Sequence, residues 1–245
     1  MLPDRVDVLH VAEVEHGDLH AAAAAPAEGA HLPTNLRFFL NSYLVAGAVA
    51  VLTVLIALPA AYSFSRFSFR FKNTLNVFII STQTVPPITL LIPYFGMVVM
   101  FGIFDTYFAL ILTYMVFTLP YAILLLTGYL NTLPRELDEA VLVDGGTNWS
   151  ALWRVIVPLS VPGIVATAVY TFLLAWNEFL FALTLTKSMS MRTVPIGIEL
   201  LMGQHAFKWN EMMAMSVLGS LTLLVLYLLA QRYFLAGMTA GAIKA

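Results

Sequence analysis

Glu136, Asp138, Glu139 and Asp144 crowd into one short stretch, with Arg135 before them, Gly145-Gly146 directly behind and Arg154 further on. In a chain with 14 acidic and 12 basic residues, this is the one polar island between long apolar runs. Leu133, Leu137, Ala140 and Val141 recur at i, i+4, i+7 and i+8, the spacing of one helix face. Pro134 suits the first turn of that helix, the acids suit its positive end and the glycine pair its stop. A second stripe, Trp149, Leu152, Trp153 and Ile156, follows Thr147 and Asn148, either of which can cap it. The chemistry on offer is contact rather than turnover. Two short amphipathic helices meeting at a glycine corner can rest on a lipid surface or touch another chain.

A second set of polar residues lies inside apolar runs. Gln83 and Thr84 precede Val85-Pro86-Pro87, where two missing backbone donors kink or break a helix. The break is either mechanical or a place where freed backbone groups and the Thr and Gln side chains line a path. Trp176, Asn177 and Glu178 form the other set. A charge inside a membrane span costs roughly 2.5–3.5 kcal/mol, so Glu178 is expected to face protein or water. Asn177 and Glu178 then either join helices or contact a transported solute.

Catalytic chemistry finds no footing. His10, His16, His20 and His31 lie in the polar N-terminal stretch and His205 in a loop, which leaves no histidine-based triad or HExxH site within a span. Asp105 stands alone near a turn. There is no cysteine, and no metal site is expected. None of Lys72, Lys187, Lys208 and Lys244 sits in a phosphate-binding glycine loop, so any ATP that drives this protein belongs to another chain.

The elements that must position these residues are membrane helices. The 245 residues are 60% hydrophobic and 11% charged, with mean hydropathy +0.85, against roughly 25% charge in soluble domains. Five apolar stretches, at about 38–64, 74–102, 106–130, 159–185 and 211–234, each reach the ~20 residues that a spanning helix requires. Their continuous runs exclude an alternating β-barrel strand, and the expectation is an all-α polytopic membrane protein. Residues 1–36 read as a polar, disordered tail with no secretory signal. Beyond Tyr233 the chain reads as a frayed end. A net charge of −2 and the absence of a basic patch point away from nucleic acid.

Bases set the orientation. Arg66, Arg70, Lys72, Arg135, Arg154, Arg232 and Lys244 lie on one side, and Lys187, Arg192 and Lys208 on the other. Seven against three places the 131–158 loop and the C-terminus in the cytoplasm and the 186–210 loop outside.

Glu139-Ala140-Val141, then Asp144-Gly145 and Ile156-Val157-Pro158, resembles the EAA loop of ABC-importer permeases, with Val141 where alanine is usual. Asn41-Ser42, Ala60-Ala61-Tyr62 and Arg66-Phe67-Ser68-Phe69 resemble the second span of that family. Trp176-Asn177-Glu178-Phe179 is similar to a span of its sugar-importer branch. The ending from Gln231 resembles that of MalG-like permeases, apart from Ala245 for glycine and Leu221 where proline is frequent. The resemblance covers about residues 37–245.

That resemblance implies a type I ABC importer transmembrane domain in a bacterial or archaeal inner membrane. It implies three kinds of partner: a MalF-like second permease, an ATPase dimer holding ATP and Mg, and an extracytoplasmic sugar-binding protein. Glu139, Ala140, Asp144, Gly145 and Gly146 would couple to the ATPase. Thr239, Gly241 and Lys244 would lie against it. Gln83, Thr84, Trp176, Asn177 and Glu178 would be the substrate path. The 186–210 loop, with Gly203, Gln204, His205, Phe207 and Trp209, would meet the binding protein. It also implies a first span that this chain lacks, through truncation, a misplaced start or a genuine five-span design. An ion-coupled secondary transporter is the rival reading, although such folds favour broken helices in two matching halves.

Overall fold

The computed structural model describes residues 34–202 and 208–242, with side chains as far as Tyr233. Every described element is helical, because apolar segments in lipid must satisfy their backbone internally. Helix α1 (Thr34–Arg66) is the axis of the bundle. One of its faces is small or polar and buried: Asn41, Ser42, Val45, Ala46, Val49, Ala50, Thr53, Ala57 and Ala61. Leu40, Leu44, Val51, Leu52, Leu55 and Ile56 point outward. Small residues let backbones approach where lipid removes the usual hydrophobic drive between helices.

Against that face pack α4 (Tyr107–Leu130) and α8 (Val161–Trp176). Thr53 and Thr118 share a buried hydrogen bond of 3.1 Å across the α1–α4 contact. The stretch 74–102, expected as one span, is two helices: α2 (Lys72–Thr82) and α3 (Leu91–Met100), the latter preceded by a 3₁₀ turn, Pro87–Leu90. The two arms diverge by 92°. Pro86 is extended at φ −59°, ψ 128°, so no helix continues through it.

Next come α5 (Glu136–Val143), α6 (Asn148–Ala151), a π-helical turn (Leu152–Ile156) and α7 (Val157–Leu159). A 78° bend separates Asn148–Leu159 from α8, which has proline in its first turn. The expected span 159–185 is also broken. It stops at Trp176 and resumes as α9 (Leu180–Leu185). After α10 (Val194–Leu200), α11 (Trp209–Ala242) runs unbroken past Leu221 and through the residues expected to fray. Among the described residues, helices α1, α4 and α11 are long and apolar enough to cross a membrane; the number rises to five if each bent pair counts as one span.

Two apolar clusters divide the interior. At one end Phe38, Val45, Tyr114, Trp176, Phe181 and Ile196 meet. At the other, Leu58, Ala61, Tyr62, Leu126, Leu130, Leu152 and Ile156 do.

Candidate functional site

The polar island sits where α1 and α4 end. Its helix starts at Glu136, two residues past Pro134, with Glu136, Asp138 and Glu139 in the first turn. There the carboxylates face the positive end of the helix. The helix stops in a Schellman arrangement. The Gly145 amide donates to the Leu142 carbonyl at 3.1 Å and the Gly146 amide to the Val141 carbonyl at 2.8 Å. Gly145 adopts φ +81°, which L residues rarely do. Gly146 has another constraint: a Cβ there would lie 2.6 Å from Val141 Cγ1 and 2.7 Å from the Val141 carbonyl oxygen.

Thr147 caps the next helix. Its hydroxyl accepts from the Ser150 amide at 3.2 Å, and Ser150 Oγ accepts from the Thr147 amide at 2.8 Å. The expected second stripe splits in two. Leu152 and Ile156 enter the core, while Trp149 and Trp153 stay exposed with ring centroids 5.6 Å apart. The members of each pair stand four residues apart, and Leu152, Trp153 and Ile156 all lie within the π turn.

Of the expected docking residues, Glu139, Ala140, Asp144 and Gly145 are exposed and Gly146 is half-buried. Ala140 leaves the apolar face that the spacing assigned to it; Leu133 and Leu137 alone reach the core from that set. Val143 is 86% exposed, next to these acids. The one buried side chain of α5 is Asp138, an acid that the sequence placed only at the positive end of the helix. Its Oδ2 lies 2.8 Å from Arg66 Nε, and its Oδ1 accepts from the Tyr62 hydroxyl at 2.7 Å. The sequence signal was a base closing one apolar run and an acid in the island.

The second candidate set meets at a cavity of about 360 Å³ lined by Tyr114, Phe117, Thr118, Asn177, Glu178 and Pro87, among others. Asn177 caps α8 and donates from Nδ2 to the Leu173 carbonyl at 2.8 Å. Glu178 accepts from the Phe181 amide at 2.8 Å and the Ala182 amide at 3.0 Å, so it starts α9. These two side chains bond the backbone on either side of the break at 177–179. Trp176 is 4% exposed, stacked on Phe172 and against Tyr43, and does not line the cavity. Gln83 and Thr84 are exposed at the α2 corner; Pro87 is that corner's contribution to the wall.

At the end of the bundle away from the polar island, the 186–200 segment is clamped down. Asn41 Nδ2 donates to the carbonyls of Ser190 and Arg192, and Ser42 Oγ accepts from the Val194 amide. Asp105, at φ +60°, accepts from the Lys187 and Ser188 amides and from Ser188 Oγ. Burial pushes its carboxyl up, but these donors and the Lys187 charge outweigh it and hold the group below its ordinary value. The clamp is therefore complete above the unfolded carboxyl range and is lost as pH falls through the lower folded value. Asp105→Ala should raise amide exchange at Lys187 and Ser188 about tenfold at neutral pH. Unchanged protection would refute the clamp.

Gly203, Gln204, His205, Phe207 and Lys244 lie outside the described residues, and so do residues 1–33 of the tail. Thr239 and Gly241 fall in the last turns of α11, beyond the described side chains.

The sequence comparisons agree on one family. The family described as "Binding-protein-dependent transport system inner membrane component" matches residues 39–239. The trehalose/maltose transport system permease protein MalG of Thermococcus litoralis is 38% identical over 215 residues, covering 87% of this chain and 76% of that protein. The sulfoquinovosyl glycerol transport system permease protein SmoH of Agrobacterium fabrum is 36% identical over 207 residues, covering 84% and 73%. Among solved structures, a bacterial ABC transporter that imports the acidic polysaccharide alginate matches with TM-score 0.72 at 16% identity, over 96% of this chain and 99% of that one. The MetNI methionine ABC transporter matches with TM-score 0.65 at 19% identity, over 82% and 95%.

Proposed function

The chain belongs to the family of binding-protein-dependent transport system inner membrane components, and we propose that it is the permease subunit of an ATP-driven carbohydrate importer. The observation that carries this is the outer face of α5, where Glu139, Ala140, Val143 and Asp144 stand exposed beside Trp149. An apolar patch rimmed by carboxylates marks a surface that another protein covers. That protein is a separate ATPase dimer, which holds ATP and Mg²⁺; this chain holds neither. Thr239, Gly241 and Lys244 add contacts to it. The excess of bases at this end makes it cytoplasmic.

A MalF-like second permease covers the outward side of α2 and α3, where Phe78, Ile92 and Met100 are all more than half exposed. The cargo passes between the two permeases, along a wall that includes Asn177, Glu178 and the Gln83–Thr84 corner. An extracytoplasmic sugar-binding protein delivers it at 186–210. The names of the relatives support a sugar or glycoside cargo. Closure of the ATPase dimer on ATP pushes α5 and shifts the permease pair between two rigid states, driven by differential binding.

Reconstitution of this chain with its ATPase, second permease and binding protein tests the reading. Uptake should require ATP and all partners. Uptake by this chain alone on an ion gradient would replace the importer with a secondary transporter. Within the complex, Glu139→Lys should cut ATP-driven uptake at least tenfold at unchanged membrane level, since it reverses an exposed docking charge. Asn177→Leu should alter the preference among sugars while the complex still assembles; an unaltered preference would reduce Asn177 to a helix cap.

A further inference from the structure

We propose that Asp138, Arg66 and Tyr62 form the joint through which movement of α5 is transmitted to α1, so that these three are positioning residues for coupling. The proposal rests on the importer reading above. A docking helix is useful only if its displacement reaches the bundle, and α5 has little with which to grip. Of its eight residues Leu137 packs half-buried against the core, and the single fully buried side chain is a carboxylate. The Asp138 side chain is 11% exposed and that of Arg66 6%, with Nε 2.8 Å from Oδ2.

Tyr62 and Arg66 stand one turn apart on α1, so they hold the two oxygens of one carboxylate from the same helix face. Neighbouring bonds extend the joint. Arg135 Nη2 donates to the Ser65 carbonyl at 3.2 Å, and Ser65 Oγ donates to Asn131 Oδ1 at 2.8 Å.

The chemistry of the contact is what suits it to transmission. Separating a buried ion pair leaves both charges unsolvated, a resistance added to the packing that Leu137 supplies. The joint therefore resists exactly the motion that would let α5 tilt without α1. Helix α1 then carries the displacement through its packing with α4 and α8. Its 33 residues span about 50 Å. At its far end Asn41 and Ser42 hold the 190–194 segment, so one continuous helix, with Pro59 inside it, links both ends of the bundle.

The test is the number of cargo molecules moved per ATP hydrolysed by the full reconstituted complex, a ratio that does not depend on how much complex survives. Asp138→Asn keeps the shape and the acceptor for Tyr62 but removes the charge; the ratio should fall at least tenfold while hydrolysis continues. Tyr62→Phe, which deletes one oxygen, should lower it about threefold and serves where Asp138→Asn fails to assemble. The exchanged pair Arg66→Asp with Asp138→Arg should recover at least a third of the wild-type ratio. A wild-type ratio in both Asp138→Asn and Tyr62→Phe overturns the joint and leaves the importer reading intact. A wild-type complex with no ATP-dependent uptake overturns that reading, and the joint with it.

Discussion

Gly146→Val is expected to abolish ATP-driven uptake, and Gly146→Ala to reduce it more than tenfold, with the protein still present in the membrane. A Cβ at this position would lie 2.6 Å from Val141 Cγ1, 2.7 Å from the Val141 carbonyl oxygen and 2.8 Å from Ser150 Oγ. The first neighbour can rotate away. The carbonyl is backbone, and it accepts the hydrogen bond from the Gly146 amide that closes α5. The Ser150 hydroxyl is one half of the capping box that starts α6. Relief of the clash therefore opens the end of one helix or the beginning of the next, at about 1 kcal/mol net for each hydrogen bond lost plus the cost of any group left unpaired.

Gly145 provides the internal control. No atom outside the adjacent chain lies within 4 Å of a Cβ there, and its constraint is φ +81° alone. A left-handed conformation costs an ordinary L residue roughly 1–2 kcal/mol, while asparagine tolerates it. Gly145→Asn should keep most of the uptake, and Gly145→Val should lose most of it. Uptake assays on the reconstituted complex, normalised to membrane level, decide the order. Were Gly146→Ala as active as wild type, the corner could not be the rigid element that α5 requires.

The same corner shows what the sequence made legible. Acids at the start, a glycine pair at the stop and a threonine cap are local signals, set by backbone geometry within a few residues, and all are present where spacing placed them. Signals that depend on who packs against whom were harder to read. Trp149, Leu152, Trp153 and Ile156 look like one stripe at helical spacing, yet the neighbouring apolar cluster takes Leu152 and Ile156 and leaves Trp149 and Trp153 exposed. On α1 the hydropathy pattern says little, since both faces are apolar. Size separates them only in part, since Ala46, Ala57 and Ala61 turn inward together with Phe38, Leu58 and Tyr62, and Leu40, Leu44, Val51 and Leu55 turn outward.

Breaks inside the apolar runs were half legible. Pro86-Pro87 announced one, because a missing donor is a property of the residue itself. The break at 177–179 was silent, because it shows only in the backbone groups that Asn177 and Glu178 happen to satisfy. The Asp138–Arg66 pair joins residues 72 positions apart in the sequence. No local pattern could have paired them.

Glu178→Ala is expected to lower the thermal midpoint of the purified protein by several degrees, and Glu178→Gln by about half as much. Both oxygens of this carboxylate are engaged, one by the Phe181 amide and one by the Ala182 amide. Those amides belong to residues that are 2% and 0% exposed, so water does not readily replace the carboxylate. Leaving a buried donor unpaired costs about 1–3 kcal/mol, and alanine leaves two. Glutamine keeps one acceptor oxygen and turns an amide group toward the other donor. At roughly 2–4 °C per kcal/mol for a chain of this size, the two variants separate measurably. The order matters because the same side chain lines the cavity beside Asn177 and Tyr114. If stability follows Ala, Gln and wild type in that order while the sugar preference stays fixed, the carboxylate is there to begin α9, and cargo selection falls to Asn177, whose side chain is exposed at the cavity and bonded only within its own helix. Equal midpoints for all three proteins would refute the capping role and return Glu178 to the transport path.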